Sequence, residues 1–97
     1  MARLRLTLIS RRDCHLCDDM AAVVDQVAPS FDAQVEIKDV DADAELRAVY
    51  SDQVPVLLIE GRKAFKYRMT AAALAGRLRA ERRRRRLRVW RARLGLP

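Results

Sequence analysis

The only two cysteines of the chain, Cys14 and Cys17, lie three residues apart between segments of different hydrophobic periodicity. Before them, apolar and polar residues alternate as in a β-strand, over about residues 4–10. After them, apolar residues recur at helix spacing, over about residues 15–28. The pair is therefore predicted at a strand-to-helix turn, where the unpaired amides of a helix N-terminus stabilise a thiolate. A dithiol in that position indicates redox chemistry.

The chain has 97 residues, which is enough for one small domain. Two cysteines are too few for the disulfide framework of a small secreted protein. Charged residues interrupt the N-terminal leucines, unlike those of a signal peptide, and no apolar stretch approaches the roughly 20 residues that span a bilayer. We therefore expect a cytoplasmic monomer, and in that compartment an isolated Cys-x-x-Cys is usually catalytic or metal-binding.

The remaining pattern predicts the element order β-α-β-α-β-β-α. After the first strand and helix come a second strand at about residues 35–40, a short helix capped by Asp41 or Asp43, a buried strand at residues 56–59, a turn at residues 60–62, an edge strand at residues 63–67 and a helix capped by Thr70. Two strands joined through a helix should be parallel, and the last two strands should form a hairpin. The predicted fold is α/β, with a four-stranded mixed sheet and helices on both faces.

Residues 4–78 resemble the small glutaredoxins of the thioredoxin-like superfamily, and most closely a glutaredoxin-like family of short bacterial proteins. The motifs that carry the resemblance are Cys14-His15-Leu16-Cys17, the stretch from Asp39 to Asp43, and Val54-Pro55-Val56-Leu57. It implies a thioredoxin-like fold and thiol–disulfide exchange, in which Cys14 attacks as the thiolate and Cys17 resolves the mixed disulfide. It also implies a cis-proline at Pro55, next to which the backbone of Val54 would pair with an extended substrate.

The residues that hold glutathione in glutaredoxins are replaced in this chain. Gln53 stands for a threonine, Phe65 and Lys66 for a glycine pair, and Arg68 for an acidic residue. Arg11 does match the family's cation three residues before the first cysteine, and His15 is expected to face solvent and to tune Cys14. We therefore expect no cofactor, and a protein or low-molecular-weight thiol or disulfide as partner. Glutathione stays an alternative partner, although the residues of its usual binding site are replaced.

A metal site is the first alternative to redox catalysis. Cys14, Cys17 and His15 offer at most three ligands for zinc or an iron–sulfur cluster, and their common position at a helix start makes joint ligation awkward. Such a site would need a second chain or added thiols. This alternative ranks below the oxidoreductase.

The positive charge of the chain is concentrated at its C-terminal end. Residues 1–76 carry a net charge of −2 and residues 77–97 a net charge of +9, with five consecutive arginines from Arg82 to Arg86. Beyond them, three apolar residues recur at i, i+3 and i+7: Leu87, Trp90 and Leu94. Residues 82–93 could bind nucleic acid or an anionic membrane surface, or form a solvated extension of the last helix. We predict a glutaredoxin-like domain at residues 1–80 and an Arg-rich tail or helix extension at residues 81–97.

Overall fold

A computed structural model describes residues 3–96, and its element order is the predicted one. The strands and helices are β1 (Arg5–Ser10), α1 (His15–Val27), β2 (Gln34–Asp39), α2 (Ala44–Tyr50), β3 (Val56–Ile59), β4 (Arg62–Lys66) and α3 (Ala71–Leu94). Two short 3₁₀ helices follow α1 and β2, at Ala28–Phe31 and Val40–Ala42.

The four strands form one mixed sheet in the order β2-β1-β3-β4. β1 pairs in parallel with β2 and antiparallel with β3, and β3 and β4 form the predicted hairpin. At the turn of that hairpin, Glu60 (φ 51°) and Gly61 (φ 80°) both have positive φ. Two such residues suit the right-handed twist of the paired strands. Ile59 and Arg62 close the turn as a register pair.

Helices cover both faces of the sheet, as predicted. On one face, the alternating leucines Leu4, Leu6 and Leu8 are buried against α1 and α3. On the other face, Ile9, Val40 and Val56 form a smaller buried cluster, which Leu46 and Tyr50 of α2 cover in part. Burial of both faces explains the continuous apolar run of β3, which has no exposed residue.

The boundaries of the elements differ from the predicted ones by one or two residues. Val40 was expected to end the second strand, but it lies in the 3₁₀ helix after β2, where it is fully buried against Ile9 and Val56. The edge strand ends at Lys66 because Tyr67 takes a positive φ of 67°. Of the two predicted caps of α2, Asp43 is the correct one: its carboxylate accepts hydrogen bonds from the backbone N–H groups of Glu45 and Leu46.

The last helix begins at the predicted cap and continues well beyond the core. The side chain of Thr70 accepts a hydrogen bond from the Ala73 N–H at 3.1 Å, and α3 then runs unbroken to Leu94. Its buried residues are Leu74, Leu78 and Glu81. The division between residues 80 and 81 stays a prediction, since that point lies within one continuous helix. No helix within residues 3–96 is both long enough and apolar enough to cross a membrane.

Candidate active site

The two cysteines lie at the start of α1, where the periodicity placed them. Asp13, with a positive φ of 54°, turns the chain between β1 and α1, and Cys14 is the N-cap of the helix. Cys14 and Cys17 form a disulfide with their Cα atoms 5.2 Å apart. The backbone N–H of Cys17 donates a hydrogen bond to Cys14 Sγ at 3.2 Å. The first turn of α1 therefore places a backbone N–H group against the sulfur of Cys14.

The accessibility of the two cysteines differs. Cys14 is half-buried, whereas Cys17, one turn into the helix, is only 3% exposed and packs in the core. His15 is exposed, as expected for a residue that faces solvent at the first turn. A reagent or a substrate can therefore approach the sulfur of Cys14 more readily than that of Cys17.

Val54 and Pro55 lie at the same end of the sheet as the dithiol. Ile9 pairs with Val56, so the chain that leaves β1 toward Cys14 runs beside the chain that enters β3 through Val54 and Pro55. The Val54–Pro55 peptide bond is cis, as the resemblance implied. Within residues 3–96, the backbone N–H and carbonyl of Val54 take part in no recorded hydrogen bond. Both groups are therefore unpaired within the described chain.

Tyr67 holds the segment that contains Pro55, and reasoning from the sequence missed this role. Its backbone N–H donates to the Pro55 carbonyl at 2.8 Å, and its hydroxyl donates to the Asp52 carbonyl at 3.2 Å. The sequence pattern placed Tyr67 inside the edge strand. No local signal marks its positive φ, because left-handed backbone in a non-glycine residue depends on tertiary contacts.

Arg11 lies in the loop before Cys14 and connects that loop to the 3₁₀ helix Val40–Ala42 and to the end of α2. Its guanidinium donates to both carboxylate oxygens of Asp41, at 2.7 and 3.1 Å, and to the carbonyl and hydroxyl of Ser51, at 2.9 and 3.1 Å. The hydrogen bond from Arg11 lowers the pKa of Asp41. The predicted contact between Arg11 and a substrate stays a prediction, while these bonds give Arg11 a role in positioning the loop.

The lowered pKa of Asp41 predicts an acid-dependent loss of stability. The folded-state pKa lies below the unfolded value of about 3.9, so the contribution of the ion pair is complete above about pH 4 and is lost as the pH falls below that value. We expect the urea midpoint of the wild type to fall more steeply below about pH 4 than that of Asp41→Asn. Asp25→Asn removes an exposed carboxylate of α1 and should leave the steeper fall intact. Equal slopes for all three proteins would contradict the prediction.

The side chains around the dithiol bear on the alternative of a metal site. Among the described residues, no group of three or more His, Cys, Asp or Glu side chains has an arrangement that could hold a metal ion. A metal site built on Cys14 and Cys17 would need ligands from a second chain or from added thiols. It stays an alternative.

The matched structures share this fold and cover most of the chain. The structural genomics target protein XcR50 from X. campestris is 34% identical, with 77% of this chain and 96% of that chain covered and a TM-score of 0.66. Protein Ne2328 from Nitrosomonas europaea is 25% identical, with 78% and 92% covered and a TM-score of 0.64. A mutant thioredoxin from Halobacterium salinarum NRC-1 is 25% identical, with 79% and 73% covered and a TM-score of 0.58.

A comparison with curated proteins gave no significant match. A family model, the Glutaredoxin-like domain (DUF836), matches residues 5–79. This match contains both cysteines, Val54, Pro55 and all four strands. Together with the thioredoxin neighbour and the disulfide at the start of α1, it supports a thiol redox role. The chain belongs to the glutaredoxin-like DUF836 family of the thioredoxin-like superfamily.

Proposed function

We propose that the protein is a thiol–disulfide oxidoreductase that acts on protein disulfides through Cys14 and Cys17. The observation that carries the proposal is the difference in burial between two bonded sulfurs at one helix start. Cys14 is half-buried at the N-cap, and Cys17 is 3% exposed one turn further on. A sulfur that attacks must reach its substrate, whereas a sulfur that resolves needs to reach only its neighbour.

The proposed reaction starts from the reduced dithiol. The Cys14 thiolate attacks one sulfur of a substrate disulfide, forms a mixed disulfide and expels the other substrate sulfur as a thiolate, which takes up a proton. Cys17 loses its proton and attacks Cys14 Sγ, which releases the second substrate thiol and forms the Cys14–Cys17 disulfide. The substrate gains two electrons and the protein loses two. An external thiol, as a dithiol protein or two small thiols, returns them by the reverse exchange.

The backbone next to Pro55 supports a polypeptide as the substrate. Both polar groups of Val54 are unpaired within residues 3–96, at the end of the sheet where Cys14 lies. An extended chain could bind there by main-chain hydrogen bonds, which depend little on the substrate's sequence. Pro55 has no N–H group and so adds no competing donor beside the sulfurs. Val54 and Pro55 would then position the substrate disulfide over Cys14.

The residues that replace a glutathione site are engaged within the protein. The Gln53 side chain donates to the Val49 carbonyl at 3.2 Å and accepts from Lys63 Nζ at 3.0 Å. Phe65 packs against the main core, and Lys66 Nζ lies 5.0 Å from the centre of the Tyr67 ring. A carboxylate for the amino group of glutathione is missing at the corresponding position, which is Arg68. These contacts support a partner other than glutathione.

A Cys17→Ser variant tests the proposal by trapping its partner. Without the resolving thiol, Cys14 should remain joined to substrate proteins after incubation with a cell lysate. We expect covalent adducts on non-reducing gels that disappear on reduction, and proteins in these adducts identifiable by mass spectrometry.

The Cys14→Ser variant is the matched control, because it keeps one thiol in the same turn. We expect it to trap at least about tenfold less protein, since Cys17 is buried. Recovery of the glutathione adduct alone would contradict a protein substrate but keep the redox reaction. No adduct with Cys17→Ser, together with no reduction of a test disulfide by the wild type, would overturn the oxidoreductase.

A further inference from the structure

The last part of α3, residues 82–94, extends beyond the family domain; we call it the C-terminal arm. The family match ends at residue 79, whereas α3 continues to Leu94. A helix of 24 residues is about 36 Å long, and the described chain measures 49 Å along its longest axis. Every residue from Arg86 to Leu94 is exposed. The arm thus offers a surface that the redox fold does not use.

The base of the arm is fixed to the sheet by ion pairs. Glu81 is 1% exposed and accepts hydrogen bonds from Arg62 of β4 at 3.1 and 3.3 Å. One turn further along α3, Arg85 Nη2 lies 2.6 Å from Glu60 Oε1, in the turn between β3 and β4. These contacts orient the helix before it leaves the body, so its distal turns are held at a defined position.

The arm carries eight arginines and no acidic residue. The five consecutive residues from Arg82 to Arg86 exceed one helical turn of about 3.6 residues, so cationic side chains point to every side. Within residues 3–96, no hydrogen bond or ion pair is recorded for the side chains of five of them: Arg83, Arg86, Arg88, Arg91 and Arg93. Like charges four residues apart repel along the helix, and an anionic partner would relieve this repulsion.

A cationic groove lies at the base of the arm and continues its charged surface. It has a volume of about 510 Å³ and is lined by four arginines, one carboxylate and two apolar residues: Arg3, Arg82, Arg85, Arg86, Asp32, Leu4 and Phe31. The guanidinium of Arg82 lies 4.8 Å from the centre of the Phe31 ring. Arg3 precedes β1 and Cys14 follows it, so the groove lies at the end of the sheet opposite the dithiol. A ligand here would leave the redox site open.

The apolar residues of the arm are too interrupted for a membrane-surface helix. Such a helix needs a broad apolar face. Arg83 and Arg91 lie four residues on either side of Leu87 and therefore share its face. The side chain of Trp90 is 65% exposed, and Arg86 and Arg93 lie four residues before it and three after it on the helix. An exposed aromatic ring beside guanidinium groups is the combination that binds single-stranded nucleic acid, by stacking on bases and pairing with phosphates.

We propose that the C-terminal arm, with the groove at its base, binds single-stranded nucleic acid. The arginines pair with the phosphates of the backbone, and Trp90 stacks on an unpaired base. Unpaired bases are required because the faces of the bases in a duplex are covered by their neighbours. RNA and DNA strands share this chemistry, and both are used in the test.

Trp90 is the only tryptophan of the chain, so its fluorescence reports on the arm directly. The full chain is titrated with 12-nucleotide single-stranded RNA or DNA, the same length of duplex, poly-glutamate and phosphatidylglycerol vesicles. We expect single strands to quench Trp90 and to bind at least about tenfold more tightly than poly-glutamate of equal charge. With about five phosphates neutralised, the logarithm of the binding constant should fall by about 3.5 per decade of salt.

Matched variants distinguish the stacking of Trp90 and the charge of the arm from the net charge of the protein. Binding is followed by the anisotropy of a labelled oligonucleotide. Trp90→Ala should weaken binding by about tenfold, whereas Leu87→Ala, on the same exposed stripe, should change it less than about twofold. The double variant Arg83→Gln and Arg86→Gln should make the fall of the logarithm of the binding constant per decade of salt smaller by about 1.4. Lys38→Gln with Arg47→Gln changes the net charge equally, but these exposed residues lie on the body, and this fall should stay the same.

Several results would overturn the proposal. One is tighter binding of duplex or poly-glutamate than of single strands. Another is a blue shift of Trp90 with vesicles, without oligonucleotide binding, which would identify the arm as a membrane contact. A third is equal loss of binding in the two charge variants, because the contact would then be non-specific attraction to a cationic protein.

Discussion

The Cys14→Ser variant is expected to reduce a test protein disulfide at the background rate, a loss of roughly a thousandfold or more. The hydroxyl of serine does not form the mixed disulfide, so the first exchange step is lost. Cys17 cannot take over the attack, because it is 3% exposed and packed against the core. The N-terminus of α1 also favours Cys14, because the backbone N–H of Cys17 donates a hydrogen bond to Cys14 Sγ. The large effect therefore follows from geometry that the two cysteines do not share.

The measurement is the initial rate of disulfide reduction under excess dithiol reductant, with the uncatalysed rate subtracted. Alkylation of the reduced proteins with iodoacetamide provides the companion test. The Cys17→Ser variant, which keeps Cys14, should be alkylated roughly a hundredfold faster than Cys14→Ser, since both thiolate character and exposure favour Cys14. Circular dichroism checks that both variants are folded. Equal alkylation rates, or a Cys14→Ser variant that still reduces the substrate, would contradict the assignment of Cys14 as the nucleophile.

The parts of this site that the sequence predicts are those whose signals are local. The strand before Cys14 and the helix after it each show their own periodicity over consecutive residues, so their junction could be located from the pattern. Thr70 was identified as a cap because it directly precedes an apolar helical pattern. The cis bond before Pro55 came only from the family resemblance, since no periodicity distinguishes the two isomers of a proline.

The contacts that position the site join residues far apart in the chain, and for that reason they could not be predicted. Arg11 is 30 residues from Asp41 and 40 from Ser51, and Tyr67 is 15 from Asp52. Each of these residues is polar and has several equally suitable partners in the sequence. Which of them meet depends on the register of the sheet and on where α2 covers it, and both are tertiary properties.

Glu81 illustrates the same difficulty at the junction between the domain and the arm. It is the single acidic residue among ten arginines in residues 77–97, and by composition it looks like one more exposed charge. In the fold it is 1% exposed, with three guanidinium groups around its carboxylate: Arg62 at 3.1 Å, Arg84 at 3.5 Å and Arg77 at 3.9 Å. A division of the chain just before Glu81 would separate this carboxylate from the body to which Arg62 holds it.

The Glu81→Gln variant is therefore expected to unfold with a free energy about 2 kcal/mol lower than that of the wild type. The amide keeps the volume of the side chain but removes the anion between three cations, which then repel one another. This value lies below the about 3–5 kcal/mol that a broken buried pair usually costs, because the arginines are themselves about half exposed and can be hydrated. In a domain of this size, the melting temperature should fall by about 10 °C.

Urea denaturation followed by circular dichroism measures this difference, and Glu36→Gln supplies the matched control. Glu36 lies on the exposed edge strand β2, so its replacement makes the same change in net charge without touching a buried group. We expect the control to differ from the wild type by less than about 0.5 kcal/mol. If Glu81→Gln were as stable as the control, the attraction of the arginines would only offset the cost of burying the carboxylate. The base of the arm would then be held by the burial of Leu74 and Leu78 on the inner face of α3 and by the ion pair between Arg85 and Glu60.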